Sequence, residues 1–444
     1  MTKYILPLLT IFFLSCSKSP KKEFTYFGGK IINPKTDFVV LFDNEKPLDT
    51  IKLKNDHTFM GKLKGIHSGL YYFKHGPEHQ FVYLEPNDSL LIRLNTWDFD
   101  ESLVFSGVNA DRNNVLIEAF LQTEIDQRNF YKYYTLQPEQ FKLKVDSLLN
   151  RKANFIEDYK LNNNETSEQF LKTLSIALNY PIYTKIENYI AQKKLKNLPD
   201  NFANHRELTN INLDSLMFFG TYYRYVQANL YGEVYQNDNY KTNDDYTVAL
   251  LNDIDKKIVS EKSKNRMLRR AAIRHFYDKS SCHVNKQMFD TFLNLTSDNE
   301  DKEEMKRLLN DIYKLNKNKQ LPDFKMVSPQ GAIENVSELA ANKKTIIYFR
   351  NSKRSSKDWV AKRINYLVHN NPDKTFLVVN MDTKKEYVPN LDIKLQYYLT
   401  SDSEAREFLT SKLPRVVLVD ENGIVVNGFA SLSSEKINSQ IKEL

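Results

Sequence analysis

The sequence predicts a multidomain α+β chain: an antiparallel β-sandwich or small barrel, then an α-helical domain, then an α/β domain. Three observations carry this prediction. Short β-branched and aromatic runs fill residues 24–107, stripes of helical period fill 108–319, and strand and helix alternate from residue 320 onward. A length of 444 residues suits several domains, and 41% hydrophobic content with 26 Tyr and 27 Phe gives each a core to bury.

Residues 1–15 read as a targeting segment. Lys3 precedes an apolar run from Ile5 to Leu14, which is too short to span a bilayer as a permanent helix and fits a signal-peptide core. The ending Phe13-Leu14-Ser15-Cys16 resembles the lipobox of bacterial lipoproteins. That resemblance implies cleavage before Cys16, lipid attachment to its thiol, and a membrane partner through that lipid. Residues 16–23 then form a tether, and the protein is expected in the cell envelope facing the periplasm. Ser17 rather than Asp after the cysteine points to the outer membrane.

In the β-rich module, Phe38–Phe42, Leu48–Leu53, Leu70–Phe73, Phe81–Leu84 and Leu90–Leu94 read as strands. The turn formers Asn55-Asp56, His75-Gly76-Pro77 and Pro86-Asn87-Asp88 separate them. In the helical region Phe141, Val145 and Leu148 share a stripe, as do Phe170, Leu174 and Leu178, and Met305, Leu308, Ile312 and Leu315. The aromatic cluster Phe218-Phe219-Tyr222-Tyr223-Tyr225 is expected to be bundle core rather than the lining of a groove. In the last region strands are expected at Thr345–Phe349, Thr375–Met381, Val416–Val419 and Ile424–Val426. Helices are expected at Ser356–His369, Ser403–Leu409 and Ser433–Leu444.

Three pieces of this last region, residues 320–444, resemble the thioredoxin fold in its TlpA-like and peroxiredoxin-like branch. They are Leu321-Pro322-Asp323-Phe324, the strand Ile346-Ile347-Tyr348-Phe349, and Leu413-Pro414-Arg415-Val416-Val417-Leu418-Val419-Asp420-Glu421-Asn422-Gly423. Glu85-Pro86-Asn87-Asp88-Ser89-Leu90 is similar to the turn of a β-module that often precedes such domains, with Asn87 where that turn has Gly. The resemblance implies that Pro414 is a cis-proline and that its segment could hold an extended peptide. It also implies a redox loop after Phe349, yet the two cysteine positions fall on Arg354 and Lys357. Disulfide exchange needs a thiolate, so thiol–disulfide catalysis is not expected at this loop.

The same turn delivers a helix N-terminus, where backbone N–H groups favour anions. Ser355 or Ser356 is expected as the N-cap. Around it lie Lys343, Lys344, Arg350, Lys353, Arg354, Lys357, Lys362 and Arg363, with Asp358 in the first turn. An anion or acidic-peptide site centred on Arg354, Ser355, Ser356 and Lys357 is the sharper expectation, and a solvated basic face the plainer one.

Elsewhere the sequence is quieter. His75 and His79 flank Gly76-Pro77 and do not share a helix face, so no metal is expected there. Cys16 and Cys282 rule out a disulfide framework, and Cys282-His283 lacks a third partner. No cofactor motif is present, and a net charge of +7 spread along the chain does not suggest a nucleic-acid partner. The reading is therefore a redox-inactive envelope lipoprotein that binds or scaffolds a protein, peptide or anion. The alternative is an oxidoreductase-related protein of envelope thiol homeostasis.

Overall fold

A computed structural model describes residues 24–237, 242–382 and 386–444. The targeting segment, Cys16 and the tether lie outside the described residues. Among those described, no helix is long and apolar enough to cross a membrane. The chain divides into two compact units, Met1–Asn229 and Leu230–Leu444.

The first unit opens with β1 (Phe24–Ile32), β2 (Phe38–Asp43), β3 (Lys46–Lys52), β4 (Thr58–Lys64), β5 (Gly69–His75), β6 (Glu78–Leu84) and β7 (Ser89–Asn95). The short helix α1 (Phe99–Ser102) and β8 (Val104–Val108) follow. Two four-stranded sheets result, ordered β4-β1-β7-β8 and β3-β2-β5-β6. Their inward residues, among them Phe27, Ile31, Leu41, Phe73, Val82 and Leu90, share one core. The module is thus a sandwich and not a closed barrel.

It is also not wholly antiparallel, because β1 pairs parallel to β7, with Phe27 opposite Leu90. Two glycines in β1 hid that strand from a propensity reading. A Cβ on Gly29 would sit 2.0 Å from the Ile92 carbonyl oxygen, so the close approach of β1 to β7 requires the bare backbone. Asn87 in the following turn takes φ +72°, the left-handed conformation that Asn tolerates better than other side chains. Asp88 braces the turn by accepting from the Glu85 N–H at 2.7 Å and from Arg112 Nη2 at 2.7 Å.

Helices α2 (Asp111–Tyr133), α3 (Pro138–Asn162) and α4 (Glu168–Lys193) come next, and α5 (Gly220–Asn237) runs across the division between units. The stripes Phe141/Val145/Leu148 and Phe170/Leu174/Leu178 are buried, as are Phe219, Tyr222, Tyr223 and Tyr225. Four of the five cluster residues are therefore core, while Phe218 is half-buried against the Tyr72 and Phe81 rings.

The second unit carries α6 (Asn243–Lys257), α7 (Glu261–Lys279), α8 (Lys286–Leu295) and α9 (Asn299–Lys314). It continues through β9 (Lys325–Val327), β10 (Ile333–Asn335), α10 (Val336–Ala340), β11 (Thr345–Arg350), α11 (Lys357–Asn370) and β12 (Thr375–Asn380). It ends with β13 (Gln396–Tyr398), β14 (Arg415–Val419), β15 (Val425–Ala430) and α12 (Ile437–Lys442). The seven-stranded sheet runs β10-β9-β13-β12-β11-β14-β15. Central β11 pairs parallel with β12 and antiparallel with β14, the thioredoxin-like arrangement. All six of its residues are buried because both faces are covered. Ile346 and Tyr348 face α11 and α12, while Ile347 and Phe349 face the opposite core with Phe324, Leu377 and Val417.

Two expected helices are shorter than the sequence suggests. Residues Glu404–Glu407 form one 3-10 turn, because Ser403 Oγ donates to the Lys325 carbonyl and Glu404 accepts from the Lys325 N–H. The last helix starts only at Ile437, since Ser431 and Ser434 are held in turns by the Ser280 hydroxyl and the Lys436 N–H.

Candidate functional site

The turn from β11 to α11 is the expected site. Asn351 Nδ2 donates to the Lys412 carbonyl, and its own Oδ1 accepts from the Lys353 N–H, which shapes the loop. Ser356 occupies the N-cap position of α11, but its side chain makes no capping bond. Ser355 is buried and its hydroxyl pairs with Tyr348 Oη at 2.9 Å. Ser356 thus holds the expected N-cap position, but neither serine caps the helix through its side chain. The first-turn N–H groups of α11 have no intrahelical partners.

The cations do not form one open patch. Lys357 Nζ lies 2.6 Å from Glu386, and Arg354 Nη2 lies 4.0 Å from Glu304 of α9. Arg363 turns away to donate to the Leu432 and Ser434 carbonyls. Lys344 reaches toward Glu421 at 3.9 Å. Arg350 behaves differently again. It is 1% exposed, and none of its three side-chain nitrogens has a hydrogen-bond partner.

Beside the loop runs a ledge, Thr410–Arg415, which includes Pro414, whose segment is the one expected to hold an extended peptide. Helix α9 presents Glu304 and Asp311 on the face that carries Leu308, and both carboxylates dock on this ledge. Asp311 accepts from the Thr410 N–H (2.9 Å), the Thr410 hydroxyl (2.6 Å) and the Ser411 N–H (2.8 Å). Glu304 accepts from the Lys412 N–H at 3.1 Å, and from α7 the Tyr277 hydroxyl donates to the Pro414 carbonyl at 3.1 Å. Arg415 and Asp311 are fully buried; Arg415 Nη1 lies 3.1 Å from Asp311 Oδ2, an ionic contact too misaligned to be a hydrogen bond. Arg415 also donates from Nε to the Leu413 carbonyl and from Nη2 to the Ser411 hydroxyl.

The bond before Pro414 is trans, and no cis peptide occurs among the described residues. The expected cis-proline is therefore corrected. Trans is the default for an X–Pro bond, and here the neighbouring backbone groups are tied by α7 and α9 in that form. The ledge has its hydrogen bonds supplied from within the chain.

Comparisons with solved proteins return thioredoxin-like domains. A candidate thiol-disulfide oxidoreductase from Bacteroides vulgatus is 22% identical, covering 29% of this chain and 97% of its own, with a TM-score of 0.26. The exposed lipoprotein thioredoxin of Streptococcus pneumoniae is 21% identical over 28% of this chain and 100% of its own, at 0.22. A thioredoxin-like protein from Bacteroides caccae is 13% identical over 59% of this chain and 93% of its own, at 0.30. Identities and scores this low carry neither an activity nor a partner across. No family model and no curated protein matches the chain.

Cys282 sits elsewhere in the unit, in the turn after α7. Its N–H donates to Asn427 Oδ1 on β15 at 3.1 Å, and Asn427 Nδ2 donates to the Ser280 carbonyl. In the first unit His75 is buried and accepts the Lys35 N–H at Nε2, 2.8 Å away. Burial pushes its pKa below the ordinary histidine value, which favours the neutral ring that such acceptance needs. His79 is exposed and stacks edge-on with Tyr72 and Phe81. Both lie at the turn end of the hairpin on adjacent rungs, His75 opposite Glu78 and His79 opposite Lys74, with different partners.

Glu304 gives the ledge a pH dependence. Burial raises its pKa, but hydrogen bonds from Arg307 and the Lys412 N–H, with the charges of Arg307 and Arg354, outweigh that and hold it below the ordinary range. A carboxylate depressed in the folded state stabilises above its unfolded pKa and loses that contribution as pH falls through the folded one. The stability of this unit is therefore expected to fall as pH drops below about 4.3. Glu304→Gln should flatten part of that decline, as read from denaturant midpoints at successive pH values.

Proposed function

We propose that this chain is a redox-inactive, thioredoxin-like binding or scaffolding module of the cell envelope, held at the membrane by lipid on Cys16. One observation supports it above the others. The turn that would carry redox cysteines holds Asn351, Ser352, Lys353, Arg354, Ser355 and Ser356, and no thiol stands in it. A thiolate is the nucleophile of disulfide exchange, and neither a hydroxyl nor a cation replaces it.

The ledge at Thr410–Arg415 is no longer the favoured contact, since α7 and α9 already use its backbone groups. The end of β11 and the start of α11 remain, with cations and unpaired N–H groups suited to an acidic group on a partner. Insulin reduction by the purified chain with dithiothreitol should not exceed the uncatalysed rate, and Cys282→Ser should leave it unchanged. Turnover that disappears in Cys282→Ser would establish the oxidoreductase-related alternative instead.

A further inference from the structure

We infer that Arg350 and the N-terminus of α11 form a site for one compact oxyanion, a carboxylate or a phosphoryl group. The inference rests on the binding-module reading and names its ligand class.

Arg350 ends the central strand, and its burial is not explained by any partner inside the chain. A guanidinium carries five N–H donors and stays charged at all working pH values. At 1% exposure it has left water, yet Nε, Nη1 and Nη2 make no hydrogen bond. Leaving such a group unpaired opposes folding, so an apolar residue would serve the fold better. Arg415, the other fully buried arginine among the described residues, has the buried carboxylate of Asp311 beside it. The contrast marks Arg350 as a donor set awaiting an acceptor.

The alternation of β11 aims it. Ile346 and Tyr348 face the core beneath α11, so Arg350 stands on that same face, one step beyond Tyr348. Tyr348 in turn touches Ser355, the residue just before the N-cap, at 2.9 Å. The positive charge of Arg350 is one of several influences lowering the Glu386 pKa, after Lys357, so guanidinium, α11 start and Glu386 share one neighbourhood. The two carboxylates at hand are committed elsewhere. Asp382 accepts from the N–H and hydroxyl of Ser352, and Glu386 holds Lys357. Because Ser356 makes no capping bond, the first-turn N–H groups of α11, a helix of 14 residues, add donors of the same polarity. An oxyanion with planar or tetrahedral oxygens satisfies both sets.

The test is thermal unfolding of the full chain in sodium phosphate, sodium sulfate or sodium acetate against sodium chloride at matched ionic strength. Wild type should gain about 5 °C at saturating oxyanion. Arg350→Met should lose that gain, and Lys317→Ala, at an exposed position outside the site, should keep it. A response to phosphate and sulfate alone assigns a phosphoryl ligand, and a response to acetate alone a carboxylate; either supports the site. Should Arg350→Met fail to fold, the wild-type Arg350 Nε–H resonance must shift with added oxyanion in a saturable way. Equal gains in wild type and Arg350→Met, no gain over chloride, or an unmoved Arg350 resonance would overturn the assignment. Absence of oxyanion binding with insulin reduction still at baseline removes only this site. Turnover dependent on Cys282 removes the binding-module reading itself.

Discussion

Asp311→Ala is expected to destabilise the C-terminal unit by about 3–5 kcal/mol. Asp311 is fully buried and accepts three hydrogen bonds from Thr410 and Ser411, so its removal leaves buried donors unpaired. It also leaves the Arg415 guanidinium at 1% exposure without a counter-charge. Most of the loss comes from the stranded charge rather than from the net worth of the pair. Asp311→Ala with Arg415→Met should therefore be less destabilised than Asp311→Ala alone. The chain has two tryptophans, Trp97 and Trp359, one in each compact unit. In a Trp97→Phe background the fluorescence of Trp359 reports the C-terminal unit, and its urea midpoint gives both values. A cost under about 1 kcal/mol would mean that α9 does not hold the ledge as described.

Gly428→Ala should be comparably severe, at about 3 kcal/mol or more. Gly428 lies in β15, and a Cβ there would come 1.8 Å from the carbonyl oxygen of Leu315, the C-cap residue just after α9. The obstacle is backbone rather than a side chain that could rotate away. Leu315 is itself buried in the core with Phe324 and Phe349, so it has nowhere to retreat. Accommodation would require α9 to lift from the sheet, and the contacts of Asp311 and Glu304 would loosen with it. A cost near zero by the same Trp359 measurement would show that β15 and the end of α9 are not packed this closely.

Much of the sheet was legible because local signals and tertiary demands agree. Ile346–Phe349 is a continuous apolar run because β11 is covered on both faces. The Asp420–Gly423 turn reads as a hairpin, and Asp420 accepts from the Asn422 and Ile424 N–H groups while Gly423 takes φ +78°. β1 was not legible, because its glycines argue locally against a strand that only the partner β7 makes necessary.

The candidate site was legible in position but not in chemistry. Sequence alone makes Arg354 and Lys357 the centre of an anion site, whereas Glu304 and Glu386 reach them from distant parts of the chain. Sequence spacing says nothing about such encounters. The same holds for Asp311 and Arg415, which only the docking of α9 brings together. Arg350 did leave a signal. Extending the strand alternation one residue past Phe349 places it on the buried face with Tyr348, out of the basic run in which it had been counted.

Central to all of this is that the ledge beside the degenerate loop is filled by the chain's own helices. Amide hydrogen exchange at Thr410, Ser411 and Lys412 tests it most directly, because their N–H groups donate to Asp311 and Glu304. All three amides should exchange slowly in wild type and lose protection at Thr410 and Ser411 in Asp311→Ala. Exchange of all three at the rate of an open loop in wild type would contradict the closed ledge and return it as a surface for an extended peptide.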